Sequence, residues 1–328
     1  MHNSLKNQVL IFVTNSLLIS AFLLIAKGSY GQNPWEALSK RPATLGIEGG
    51  AQSYRTKTFE LELIKQSQTV AGLRPLNDLS FDFTPGDRLD LRKGDGLYQL
   101  GDLNLRLRAI GQLDWQEFST AQHRKAVERL KPTGNILAAA NLANTLSTNI
   151  PLKINRYWQQ IDGKLVLRFE LQNTSDKVVE IGALGIPMIF NNILHQRTRD
   201  ETHAKNVFFV PYIGKDAGYL QVARLSGKGE ALVVMPYGKT PFEAYRPLLD
   251  DPTPRGITFE GFHEWMVCSK AYAEKEWKGV EQWNESTAIL LKPNESVNYG
   301  VQFVLAENIK QVEKSLGANL LPVVIGIP

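Results

Sequence analysis

Cysteine is almost missing: Cys268 is the only one. A single thiol cannot close an internal disulfide or build a thiolate metal centre, so stability has to come from burying a core. Cys268 itself reads as a small buried apolar residue, because no nucleophile motif surrounds it. A strong charge of either sign is missing too. Lys and Arg number 37 against 33 Asp and Glu, a formal net charge of +4. With no basic run in the chain, nucleic acid is not an expected partner. Phosphate-loop chemistry is also absent. Neither Gly94-Asp95-Gly96 nor Gly182-Ala183-Leu184-Gly185 lies in a strand–glycine–helix unit followed by Lys-Ser/Thr, and glycines there fit bends in a sheet. No metal or organic cofactor is expected.

Long apolar runs are confined to one place. Val9–Ala26 follows a short polar segment carrying Lys6, and its densest part is Leu17–Ala26. That length suits the apolar region of a secretory signal better than a bilayer span. Ser29 and Gly31 stand at −3 and −1 of a cut before Gln32. Residues 1–31 are therefore expected to be a signal peptide, leaving an exported chain, periplasmic or extracellular, with no membrane attachment after cleavage. An uncleaved N-terminal anchor is the alternative. The end of the chain, LPVVIGIP, reads as if cut where a second domain would begin.

What the chain does have is period two. Phe59, Leu61 and Leu63 alternate with polar residues, as do Leu103, Leu105 and Leu107. Leu165, Leu167, Phe169 and Leu171 form another set, and Tyr299, Val301, Phe303 and Leu305 a fourth. Alternation puts one set of side chains toward a core and the other toward solvent, the pattern of antiparallel sheets with one wet face. Asp162-Gly163 is a hairpin signal between Tyr157–Ile161 and Lys164–Leu171. Further strands are expected at Lys177–Ile181, Val207–Tyr212, Tyr219–Leu225, Ala231–Pro236, Thr287–Leu291 and Val297–Leu305. Helical patterns are few: Ala121–Leu130, part of Ala138–Leu146, Ser269–Trp277 and Asn308–Leu316. The fold class is mainly β, a large antiparallel β-sandwich with a few short helices.

Four segments carry a resemblance: FDFTPGDRLDLRKGDGLYQLGDLNLRLR (81–108), VVEIGALGIPMIFNN (178–192), PYIGKDAGYLQVARLSGKG (211–229) and TFEGFHEWMVCSKAYAEKEW (258–277). Together they resemble the N-terminal region of an uncharacterised bacterial and fungal family with six-hairpin-glycosidase-like architecture. The resemblance implies a β-supersandwich of the galactose-mutarotase-like type, followed by an (α/α)6 barrel that carries most catalytic carboxylates. Residues 32–44 are then a linker and residues 45–328 the supersandwich, which stops before such a barrel. The implied function is an exported, carbohydrate-associated sandwich, non-catalytic by itself. It would contact an oligo- or polysaccharide and a helical-barrel domain or neighbouring polypeptide. The alternatives are a glycan-active enzyme, whether a hydrolase fragment or a sandwich with its own acid/base pair, and an interaction or scaffold module.

Candidate site residues concentrate in TFEGFHEWMVCSKAYAEKEWKGVEQWN (258–284). Phe259–Val267 has no clean polar face, which fits a strand beneath a loop or lining a groove. Glu260, His263 and Glu264 are the catalytic candidates: glycoside hydrolysis needs two carboxylates ~5–10 Å apart, and a mutarotase-like sandwich would use a histidine and a glutamate as acid and base, a part His263 with Glu264, or His195, could take. Glu243 could pair with either glutamate. Trp265 and Trp283 are stacking candidates for a sugar ring, and Arg156 a candidate at a groove edge. The bland reading is a partly buried edge strand for 259–267 and a plug beneath a loop for Trp283. Glu274 and Glu276 read as solvated, with Glu274 and Lys278 an exposed i,i+4 pair. His195, Asp200, Glu201 and His203 share the segment 191–206 but match no metal signature, so a polar loop is expected there. Asn173, Asn284 and Asn294 head N-x-Ser triplets, which imply surface positions.

Overall fold

The computed structural model describes residues 33–146, 149–255 and 260–323. The expected signal peptide lies outside the described residues. Among the described residues, no helix is long and apolar enough to cross a membrane.

In chain order the strands are β1 (Ala51–Arg55), β2 (Phe59–Ile64), β3 (Val70–Pro75), β4 (Asn104–Ala109), β5 (Gln116–Ser119) and β6 (Glu128–Leu130). Next come β7 (Ile136–Asn141), β8 (Leu152–Ile161), β9 (Lys164–Asn173), β10 (Val179–Met188), β11 (Val207–Tyr212) and β12 (Tyr219–Arg224). The last are β13 (Ala231–Tyr237), β14 (Ala244–Pro247), β15 (His263–Cys268), β16 (Ile289–Leu291) and β17 (Ser296–Ala306). The helices are short: α1 (Pro34–Ser39), α2 (Arg199–Lys205), α3 (Lys270–Ala273) and α4 (Val312–Ala318).

The strands form three antiparallel sheets. An 8-stranded sheet runs β11-β12-β13-β17-β9-β8-β7-β6. A 6-stranded sheet runs β14-β15-β10-β4-β5, with β16 also on β10, and a 3-stranded sheet runs β1-β2-β3. One continuous hydrophobic cluster joins all three. It takes Phe59 and Leu61 from β2, Leu105 and Leu107 from β4, Leu165, Leu167, Phe169 and Leu171 from β9, and Trp265 and Val267 from β15. The fold is the large antiparallel sandwich that the alternation implies.

Local chemistry accounts for the elements. On β9, Leu165, Leu167, Phe169 and Leu171 are all fully buried, and they pair across to Phe303, Val301, Tyr299 and Val297 of β17. Asp162 and Gly163 make the β8–β9 turn with φ of 49° and 81°, the left-handed pair a two-residue hairpin needs. β11, β12, β13 and β17 follow the expected segments closely. Asn308–Leu316 is helical in part, ending in α4, whose Val312 and Leu316 pack beside Val233, Met235 and Ala306.

Several expectations are corrected. Ala121–Leu130 is a turn followed by β6, not a helix, and Ala138–Leu146 starts in β7 and is helical only in a 3-10 turn at Ala143–Thr145. The alanine run of β7 favours helix intrinsically, but pairing to β6 and β8 overrides it. The segment 191–206 is not a plain loop: Thr198 and Glu201 form a capping box that starts α2. Asn173 is not a surface residue. Its amide is fully buried and donates to the carbonyls of Lys177 and Leu291. Within the stretch expected as a linker, α1 buries Trp35 and Leu38 against the main core.

Candidate functional site

Period two in β15 sets the floor of a cavity. His263, Trp265 and Val267 face the interior between the sheets, while Glu264 and Met266 face the other way. Above Glu264 and Met266 lies a cavity of about 380 Å³. β4 contributes Asn104 and Arg106 to it, β10 contributes Gly185, and β14 contributes Arg246. Tyr98, Glu117, Asp250 and Tyr272 complete its walls, with Ser119, Gln122 and His123 also lining it.

Glu264 is fully buried. Its carboxylate accepts from Arg246 Nε at 2.5 Å and from Asn104 Nδ2 at 2.7 Å. Gly185 makes room for it, since a Cβ at that position would run into the Glu264 carboxylate. Burial pushes the Glu264 carboxyl up from its ordinary range, and Arg246 and Asn104 oppose part of that. Burial would lower Arg246, but the Glu264 carboxylate more than reverses this and holds the guanidinium charged. Arg246 also lies 3.7 Å from Asp250, which accepts a hydrogen bond from the Tyr98 hydroxyl. Burial, and then Asp250, push the Tyr98 phenol up.

The second wall is built on Arg106. It donates twice to Glu276, at 2.7 and 2.8 Å, and meets Glu117 at 2.7 Å. The guanidinium of Arg106 lies 3.9 Å from the Tyr272 ring centroid, and that of Arg246 lies 4.8 Å from it. Two cations on one phenol ring fix its position. Nearby, Arg108 holds Glu274 at 3.1 Å and Glu180 at 2.7 Å, and the Trp115 indole donates to Glu274 at 2.9 Å. The expectation that Glu274 and Glu276 are merely solvated is therefore corrected: both brace the arginines of β4.

Of the residues expected from sequence, Glu264 alone lines this cavity. Its neighbours in sequence do not join it, because adjacent strand residues point to opposite faces. Trp265 is fully buried, stacked on Phe242 at 3.8 Å, and its indole donates to the Pro241 carbonyl at 2.7 Å. His263 lies flat on Tyr245, with ring centroids 4.8 Å apart. Glu260 is 5% exposed and accepts from the Leu194 N–H at 2.5 Å. Glu243 is buried and accepts from the hydroxyls of Ser269 and Thr287. Arg156 is buried inside the sandwich, where it donates to the carbonyls of Gly101 and Ser67 and burial lowers it to about 10. Trp283 is 83% exposed and lies in a separate depression with Tyr212, Tyr219 and Leu316. His195 stacks on Trp35 at 5.2 Å, whereas His203 is exposed on α2. Cys268 is fully buried, and burial pushes its thiol well up. Among the described residues, no group of three or more His, Cys, Asp or Glu side chains is placed to hold a metal ion.

Sequence reasoning missed Asn104, Arg106, Glu117, Arg246, Asp250, Tyr98 and Tyr272. One signal was available for Arg246 and Asp250: opposite charges spaced i,i+4 beside aromatic residues. The rest come from distant segments that the sheet order brings together.

The fold defines a class, the large antiparallel β-sandwiches. A solved polysaccharide lyase matches 79% of this chain with a TM-score of 0.57 at 12% identity, and this chain spans 34% of that protein. A putative aldose 1-epimerase from Escherichia coli K12 matches 78% of the chain and 98% of its own, with a TM-score of 0.44 at 9% identity. A galactose mutarotase-like protein from Clostridium acetobutylicum matches 78% of the chain and 95% of its own, with a TM-score of 0.47 at 11% identity. The chain belongs to the family described as Family of unknown function (DUF5695), which it matches over residues 62–328. No curated protein matches the sequence.

Proposed function

We propose that the protein is an exported carbohydrate-binding β-sandwich that takes sugar in the Glu264 cavity. In this reading it forms the N-terminal part of a six-hairpin-glycosidase-like assembly, with the helical barrel supplied by further polypeptide. The carrying observation is the floor of the cavity, where Glu264, Arg246 and Asn104 are locked together beneath the Tyr272 ring. Paired hydroxyls of a pyranose are recognised by planar charged and amide groups held in fixed positions, and Tyr272, covered by Arg106, Arg246 and Trp277, holds those groups in place. The cavity volume of about 380 Å³ lies within the range of small-ligand sites. The apolar run Val9–Ala26 supports export.

A second reading, a glycan-active enzyme, has one observation in its favour. Burial pushes Glu264 up, as a general acid requires, and the Asp250 carboxylate and Tyr98 hydroxyl stand near. One experiment addresses both readings. Affinity electrophoresis of the full chain in gels containing a panel of polysaccharides should show retardation by at least one, abolished in Glu264→Gln. No retardation by any of them would sink the binding reading. Release of reducing ends or unsaturated products by the wild type, but not by Glu264→Gln, would establish the enzymatic reading.

A further inference from the structure

Charge in the cavity is distributed unevenly between covered and open groups. Both guanidiniums are spent. The Arg106 side chain is 10% exposed and is held by Glu117 and Glu276; the Arg246 side chain is 14% exposed and is held by Glu264 and Asp250. The open charged groups of the lining are carboxylates: the side chains of Glu117 and Asp250 are 68% and 42% exposed, and Glu276, outside the lining, covers Arg106. The described lining holds no lysine, and His123 stands exposed at the rim.

An incoming ligand therefore meets hydrogen-bond acceptors that carry negative charge. We infer that the cavity selects neutral sugars and turns away uronates and other acidic sugars. Neutral sugars present hydroxyl donors, and open carboxylates accept them through charge-assisted hydrogen bonds. A uronate carboxylate would need a guanidinium already engaged by a protein carboxylate, and it would approach the open carboxylates as a like charge. The selection is thus made by repulsion as much as by attraction. This inference rests on the sugar-binding reading and specifies its ligand.

The test is calorimetric titration of the full chain at pH 8, where imidazoles are neutral. One arm uses gluco-, manno-, galacto- and xylo-oligosaccharides, and the other uses oligogalacturonate and oligomannuronate. The expected result is binding of at least one neutral series, about tenfold or more tighter than either uronate. Uronate binding as tight as or tighter than neutral binding overturns the inference and leaves the sugar-binding reading intact. No binding in either arm overturns both. Glu117→Gln changes an exposed side chain and leaves Glu276 on Arg106, so the fold is kept, as circular dichroism would verify. Loss of that charge should narrow the neutral-to-uronate ratio severalfold, and an unchanged ratio would overturn the electrostatic cause.

Discussion

His263 shows how one step along a strand separates two chemistries. Glu264 faces the cavity, whereas His263 packs inward against Tyr245 and the edge of Phe209, 5.7 Å away. Its Nδ1 has no hydrogen-bond partner. Burial lowers His263 to about 4, and the nearby Arg255 adds to the effect, while burial keeps the facing Tyr245 phenol neutral. The unfolded chain takes up this proton near pH 6.5, the ordinary imidazole value, so the folded state binds fewer protons between 6.5 and 4. Stability contributed by neutral His263 is therefore present above the unfolded value and is lost as pH falls through the folded one, amounting to about 2–3 kcal/mol. Glu264 acts in the opposite sense: its raised carboxyl contributes stability at low pH that is lost as pH rises. Comparing variants isolates the imidazole. His263→Phe keeps the stack on Tyr245 and removes the titration, so its melting midpoint should fall less than that of the wild type between pH 7 and pH 4. Parallel pH profiles for the two proteins would reject the assignment.

At the scale of elements, β10 and β15 decide the site between them. β10 shifts register at Leu184/Gly185 against β15, and the missing side chain of Gly185 leaves space for the Glu264 carboxylate. Gly182, earlier on β10, makes similar room for the Trp115 ring. Gly185→Ala should destabilise by about 1–3 kcal/mol, because an added methyl overpacks a filled space, and it should also abolish sugar retardation. Gly182→Ala should lower the melting point comparably but keep retardation, since Trp115 is not part of the cavity lining. A Gly185→Ala protein that melts and binds like the wild type would refute the close-approach account. These same strands mark how far sequence could be read. β2, β9 and β17 stood out because one face is buried and the other wetter, so apolar residues alternate. Only the start of β10 was legible, because all ten of its residues are buried and the alternation vanishes. Glu264 was legible as a carboxylate interrupting an apolar strand. Its partners were not: Asn104 lies 160 positions away, and no spacing in the chain encodes that meeting.

Across the whole molecule, the three sheets share one core rather than three. Trp158 of β8, in the 8-stranded sheet, and Trp265 of β15, in the 6-stranded sheet, are both fully buried in the same cluster, together with Phe59 of β2 and Trp35 of α1. Buried ion pairs cross between distant segments in the same way. Arg92 meets Asp251 at 2.7 Å and Arg124 meets Asp102 at 2.5 Å, with every side chain at most 2% exposed. Partial opening of one sheet is penalised by the apolar surface of the shared cluster that it exposes. The described residues should therefore unfold as one unit. Far-ultraviolet circular dichroism reports the strands, while tryptophan fluorescence reports the burial of the core indoles, Trp35, Trp158 and Trp265 among them. In urea the two signals should share one midpoint and one slope, as two-state unfolding requires. Two resolved transitions would mean that the 6-stranded sheet, with the Glu264 cavity, opens separately from the 8-stranded sheet, and the shared cluster would then not be the element that holds the site in shape.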